Sequence, residues 1–105
     1  MSGIVNMFFY AFEVLTENEN AFVEYMEKFG SPIMSKYCMN WRLFKLNRPL
    51  RGNEIPQYIG FFEIPDMDVF FSSEPPEEMK ETLNQAAKVC TKIREWVGNQ
   101  IASNI

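Results

Sequence analysis

The sequence predicts an α+β fold: an antiparallel sheet with helices on one face and an apolar surface on the other. Three observations predict it. Residues 6–15 and 57–64 are rich in aromatic and β-branched side chains and largely apolar on both alternating sides, as in strands with two covered faces. Each is followed by a polar break with helix-start residues and then an amphipathic stretch. Ten phenylalanines in 105 residues exceed what one small core conceals, so a second apolar surface is expected, for self-association or a ligand.

Residues 1–5 are a short leader. In the first strand, 6–15, Asn6, Phe8, Tyr10, Phe12 and Val14 share one side and Met7, Phe9, Ala11, Glu13 and Leu15 the other. Thr16 and Glu19 have the spacing of a capping box. A helix over 21–29 follows, with Phe22, Tyr25, Met26 and Phe29 on its apolar stripe. Gly30-Ser31-Pro32 ends or kinks it, and Pro32 admits a further turn carrying Ile33, Met34 and Tyr37. In the second strand, 39–46, Asn40, Arg42, Phe44 and Leu46 oppose Met39, Trp41, Leu43 and Lys45. Residues 47–56 are a long hairpin loop.

The third strand, 57–64, places Tyr58, Gly60, Phe62 and Ile64 on one side and Ile59, Phe61 and Glu63 on the other. Pro65 stops it, and Asp66 or Asp68 caps a helix whose apolar face begins with Val69, Phe70 and Phe71. Pro76-Glu77-Glu78 restarts a helix, with proline in the first turn and carboxylates at the positive end of the dipole. Met79, Leu83, Ala86, Cys90, Ile93 and Val97 follow at helical steps. The ending reads two ways. Gly98 ends that helix, or a last strand lies within 93–103, where Ile93, Val97, Ile101 and Ile105 share one side. With that strand the order is βαββαβ, a ferredoxin-like sandwich. Its bare sheet face calls for a partner, most simply a second copy on a two-fold axis.

Composition narrows the function. The formal net charge is −4, the wrong sign for a protein whose affinity comes from displacing phosphate counterions, so nucleic acid is not expected. No apolar run is long enough to span a bilayer, and no signal peptide is read at the N-terminus. Two cysteines, Cys38 and Cys90, are too few for a disulfide framework or a zinc site, so a reduced, cytoplasmic protein is the expectation. Without histidine the commonest general base and metal ligand are missing. No metal and no cofactor are expected.

The chain resembles the dimeric α/β-barrel superfamily over about residues 6–90. The resemblance rests on the aromatic first strand, on Phe22-Val23-Glu24-Tyr25-Met26, and above all on the run from Tyr58 to Ser73, YIGFFEIPDMDVFFSS. It implies two sheets packed face to face across a homodimer, a pocket between sheet and helices in each subunit, and a closing fourth strand at about 93–103. The superfamily includes cofactor-free antibiotic-biosynthesis monooxygenases, haem-degrading monooxygenases, isomerases, cyclases, ligand-binding regulators and stress-responsive proteins. Its haem-degrading members use a histidine and a tryptophan at the third strand's end. Here histidine is absent and that strand end offers Phe62. Its cofactor-free oxygenases use Asn, Trp and Tyr around an electron-rich substrate, residue types that Asn6, Tyr10, Asn40, Trp41 and Tyr58 supply on strands.

Asn6, Tyr10, Trp41, Tyr58 and Phe62 are therefore the candidate pocket residues. Tyr10 and Tyr58 would orient or deprotonate a phenolic or enolic ligand, or else serve as core residues whose hydroxyls find backbone partners. Trp41 would stack on a flat ligand or fill core or interface. Arg42, Arg48 and Arg51, with Lys45, form a basic stretch without an acid; it would hold a carboxylate or phosphate, stay solvated, or meet Glu17 and Glu19 of a neighbouring subunit. Asp66 and Asp68 are explained by capping, and both thiols are expected to be inert. The leading expectation is a small homodimer binding an apolar or aromatic small molecule; as an enzyme it would be a cofactor-free monooxygenase or isomerase. The alternatives are a non-catalytic structural or regulatory dimer and an anion-binding module.

Overall fold

A computed structural model describes residues 5–104; of the expected leader only Val5 is among them, and Ile105 also lies outside. The chain forms β1 (Asn6–Val14), α1 (Glu19–Tyr25), α2 (Ser31–Tyr37), β2 (Met39–Lys45), β3 (Tyr58–Ile64), α3 (Met67–Ser72), α4 (Glu77–Ala87) and β4 (Cys90–Asn99). All pairings are antiparallel, in the order β2-β3-β1-β4. This is the expected ferredoxin-like sandwich. β1 and β3 are its central strands because they carry the most two-sided apolar sequence.

The even side of β1 and β3 faces the helices. Phe12, Val14, Phe22 and Tyr58 form one buried cluster, and Met34, Cys38, Phe62, Ile64 and Met79 another. The odd side is the open face. Arg42, Phe61, Phe9 and Trp96 are successive cross-strand partners over all four strands, with Phe44 stacked on Phe61 at 5.9 Å and the Arg42 guanidinium 4.6 Å above that ring.

Several expectations need correction. The Thr16–Glu19 capping box does not form: neither the short 3-10 turn Thr16–Asn18 nor α1 has a side-chain cap. Glu19 instead reaches across to Lys45 at 2.7 Å, Tyr58 Oη at 2.7 Å and Gln57 Nε2 at 2.9 Å. Lys45 thus meets Glu19 of its own chain rather than that of a neighbour. Gly30-Ser31-Pro32 does not end the helix; a five-residue π turn, Met26–Gly30, joins α1 to α2. Proline removes a helical N–H and crowds the preceding turn, and a wider turn relieves both. That turn shifts the helical phase, so Phe29 is 59% exposed instead of facing the core.

Asp66 is the residue that caps α3, its carboxylate accepting from Val69 N at 3.0 Å. The helix has only six residues and buries one side: Phe70 packs against the core while Val69 and Phe71 are exposed. The helical stripe of α4 stops at Ala86, because the chain turns at Lys88 and Val89. Cys90, Ile93 and Val97 belong to β4, which starts before and ends before the expected 93–103. Gly98 lies inside that strand.

β2 and β4 each carry a bulge, between Met39 and Arg42 and opposite Ala11 to Glu13. At each bulge one residue, Asn40 or Lys92, has φ of +52°, the left-handed region that costs an L-residue about 1–2 kcal/mol.

Candidate functional site

The site begins with a glycine. Gly60 is the direct partner of Tyr10. Lacking a side chain, it lets the Tyr10 ring lie across β3, where a Cβ would come within 2.4 Å of the ring. The ring thereby reaches β2, where the Asn40 bulge sits beside Trp41. The indole Nε1 donates to Tyr10 Oη at 2.6 Å. Indole is a donor only, so the phenol accepts here and keeps its own hydrogen to donate. Burial pushes the Tyr10 phenol up to about 12, against the opposing pull of the Trp41 bond. It is a neutral donor at physiological pH.

Between the helix layer and strands β1 and β4 lies a cavity of about 930 Å³. Phe8, Tyr10 and Phe12 form much of its floor, Met79, Leu83 and Ala86 of α4 its roof, and Ile93 and Glu95 of β4 one wall. The lining is overwhelmingly apolar. Leu83 and Ile93 are 45% and 53% exposed, so apolar side chains on both walls lack close partners.

Of the candidate pocket residues, Tyr10 and Phe62 line this cavity. Trp41 holds the Tyr10 hydroxyl and lines a smaller neighbouring cleft. Tyr58 is 3% exposed, and its hydroxyl donates to Glu19; burial, then the Glu19 bond, raise its pKa. Asn6 sits at the start of β1, paired with Ile64 and Asn99, and is not part of the lining. Arg42 lies on the open sheet face, whereas Arg48 and Arg51 are exposed on the connection from β2 to β3. Both thiols line the cavity, and burial pushes each up to about 11, too high for a nucleophile at neutral pH. Among the described residues no group of acidic, Cys or His side chains is placed to hold a metal, and no helix is long and apolar enough to cross a membrane.

Sequence reasoning missed Glu95 and the partners that Glu19 takes within its own chain. Glu19 ties the start of α1 to β2 and β3. Lys45, then the Tyr58 hydroxyl, hold its carboxyl below its ordinary value. A depressed folded pKa stabilises above the unfolded value and loses that contribution as pH falls through the folded one. Glu19→Gln is therefore expected to flatten the acid limb of stability. Denaturation midpoints from about pH 7 to about pH 3 check this; a slope equal to the parent's would exclude the effect.

Fold and cavity together define a ferredoxin-like α+β sandwich with a largely apolar cavity between sheet and helices. No established family profile matches the chain, and no curated protein matches it. Solved structures do. HapK from Hahella chejuensis superimposes with a TM-score of 0.74 at 12% identity, over 95% of this chain and 96% of that one. A dimeric ferredoxin-like protein of unknown function from Thermobifida fusca gives 0.66 at 10% identity, over 95% and 94%. An EthD family protein from Bacillus halodurans gives 0.65 at 14% identity, over 94% and 100%. At such identities the likeness is one of fold.

Proposed function

We propose that the protein is a homodimer that holds an apolar or aromatic small molecule in the cavity of each subunit. The cavity carries this reading. Its volume lies at the upper end of the roughly 300–1,000 Å³ typical of ligand sites, in a chain of only 12.3 kDa. A largely apolar lining with a neutral phenol donor at Tyr10 binds a flat or greasy molecule and orients one acceptor atom. The reaction that the superfamily resemblance implies is cofactor-free oxygenation or isomerisation of such a ligand, with Tyr10 as the orienting donor.

Surface area supports the dimer. The chain exposes 7912 Å², whereas a compact monomer of this mass exposes about 6,100 Å². The excess exceeds the roughly 800 Å² that each partner gives to a standard interface. The open sheet face supplies an apolar patch for it, with Phe44 and Trp96 47% and 48% exposed.

Native mass spectrometry of the purified protein tests both parts. A mass of two chains, with a small molecule lost on denaturation, is the expected result. A monomer that also fails to bind the neutral dye N-phenyl-1-naphthylamine would overturn the reading. Phe61→Lys, in the middle of the open face beside the Arg42 charge, is expected to weaken the dimer about 30-fold or more, since a buried unpaired charge costs about 2 kcal/mol or more. Sedimentation equilibrium measures it.

A further inference from the structure

We propose that the cavity selects apolar amines over carboxylic acids of the same shape, with the Glu95 carboxylate as counter-charge to the ammonium group. The proposal rests on the ligand-binding reading above and adds the polarity of the ligand.

Four charged residues contribute to the lining: Lys36, Glu63, Glu74 and Glu95. Three of them are already engaged. Lys36 pairs with Glu78 at 3.2 Å, and Glu74 with Lys80 at 3.1 Å. Glu63 accepts from the Asn40 amide. Glu95 has neither a hydrogen bond nor an ion pair among the described residues. It is the cross-strand partner of Tyr10, so its side chain rises from the same face of the sheet. Trp41 draws the Tyr10 hydroxyl the other way, over β3 towards β2. The lining therefore has an uncharged donor on one side of the Tyr10 backbone and an unpaired carboxylate on the other.

Each of these features favours a cation. The carboxylate attracts an ammonium and repels a carboxylate. The one lysine on the lining is neutralised by Glu78, so no free cation there greets an acid. Glu95 is exposed, so an ammonium set against it keeps part of its hydration while the apolar body of the ligand is buried.

Displacement of N-phenyl-1-naphthylamine from the full chain tests the proposal. The probes are 4-phenylbutylamine, 4-phenylbutyric acid and the neutral 4-phenylbutanol, compared at neutral pH and low salt. The amine is expected to bind about tenfold tighter than the acid, the combined effect of one partly exposed attraction and one repulsion. In Glu95→Gln the amine-to-acid ratio is expected to fall to within about twofold. If dye and alcohol bind but amine and acid bind equally to the parent protein, the selectivity is refuted and the cavity reading stands. If neither the dye nor any probe binds, the cavity reading fails and this proposal with it.

Discussion

Replacing Phe12 with alanine is expected to remove about 3–5 kcal/mol of stability, the range for deleting a buried phenyl ring. Phe12 is 6% exposed. Its ring stacks on Tyr58 at 5.3 Å and on Tyr10 at 6.1 Å, and meets the edge of Phe22 at 5.5 Å. It joins α1 to both central strands. At about 4–8 °C per kcal/mol for a domain of this size, the melting temperature should fall by roughly 15 °C or more. Circular dichroism on heating reads this directly. Leu50→Ala, at a side chain 94% exposed, is the control, with an expected change under about 0.5 kcal/mol. A Phe12→Ala loss below about 1 kcal/mol would show that the ring is not the centre of that cluster.

Gly60→Ala is expected to strike the site and the fold together. The added methyl would lie 2.4 Å from Tyr10 Cζ and 2.5 Å from its oxygen, so the ring must swing off β3. Overpacking of this kind costs about 1–3 kcal/mol, and the swing also breaks the bond from Trp41. Three readouts should change in concert: a lower melting temperature, a changed indole emission, and weaker binding of N-phenyl-1-naphthylamine. A variant that melts lower but binds the dye and fluoresces as the parent does would show that Tyr10 orientation is irrelevant to the cavity.

Strand identity and facing were legible in the sequence because the period of two is written in large side chains. Tyr58, Gly60, Phe62 and Ile64 alternate with Ile59, Phe61 and Glu63, and a one-residue slip would exchange core for open face. The Asp66 cap was legible because proline and aspartate act locally. What escaped depends on groups distant in sequence. Glu19 has a local partner in Thr16, but three partners 26 to 39 residues away outweigh it. Trp41 and Tyr10 are on strands that are not neighbours; only a bulge and a bare glycine bring them together. Gly60 was the available signal, since glycine inside a strand marks close approach by another group. Glu95 was obscured by the ambiguity of the chain's end. Once 90–99 is a strand, it shares a side with Val97 and stands opposite Tyr10.

The two left-handed residues have a consequence for how the molecule behaves in a crowd. Asn40 and Lys92 interrupt the two outermost strands, and such interruptions twist a margin away from the flat ribbon that a stray chain needs for lateral docking. Fibrillar growth by adding strand after strand is thereby discouraged at both borders.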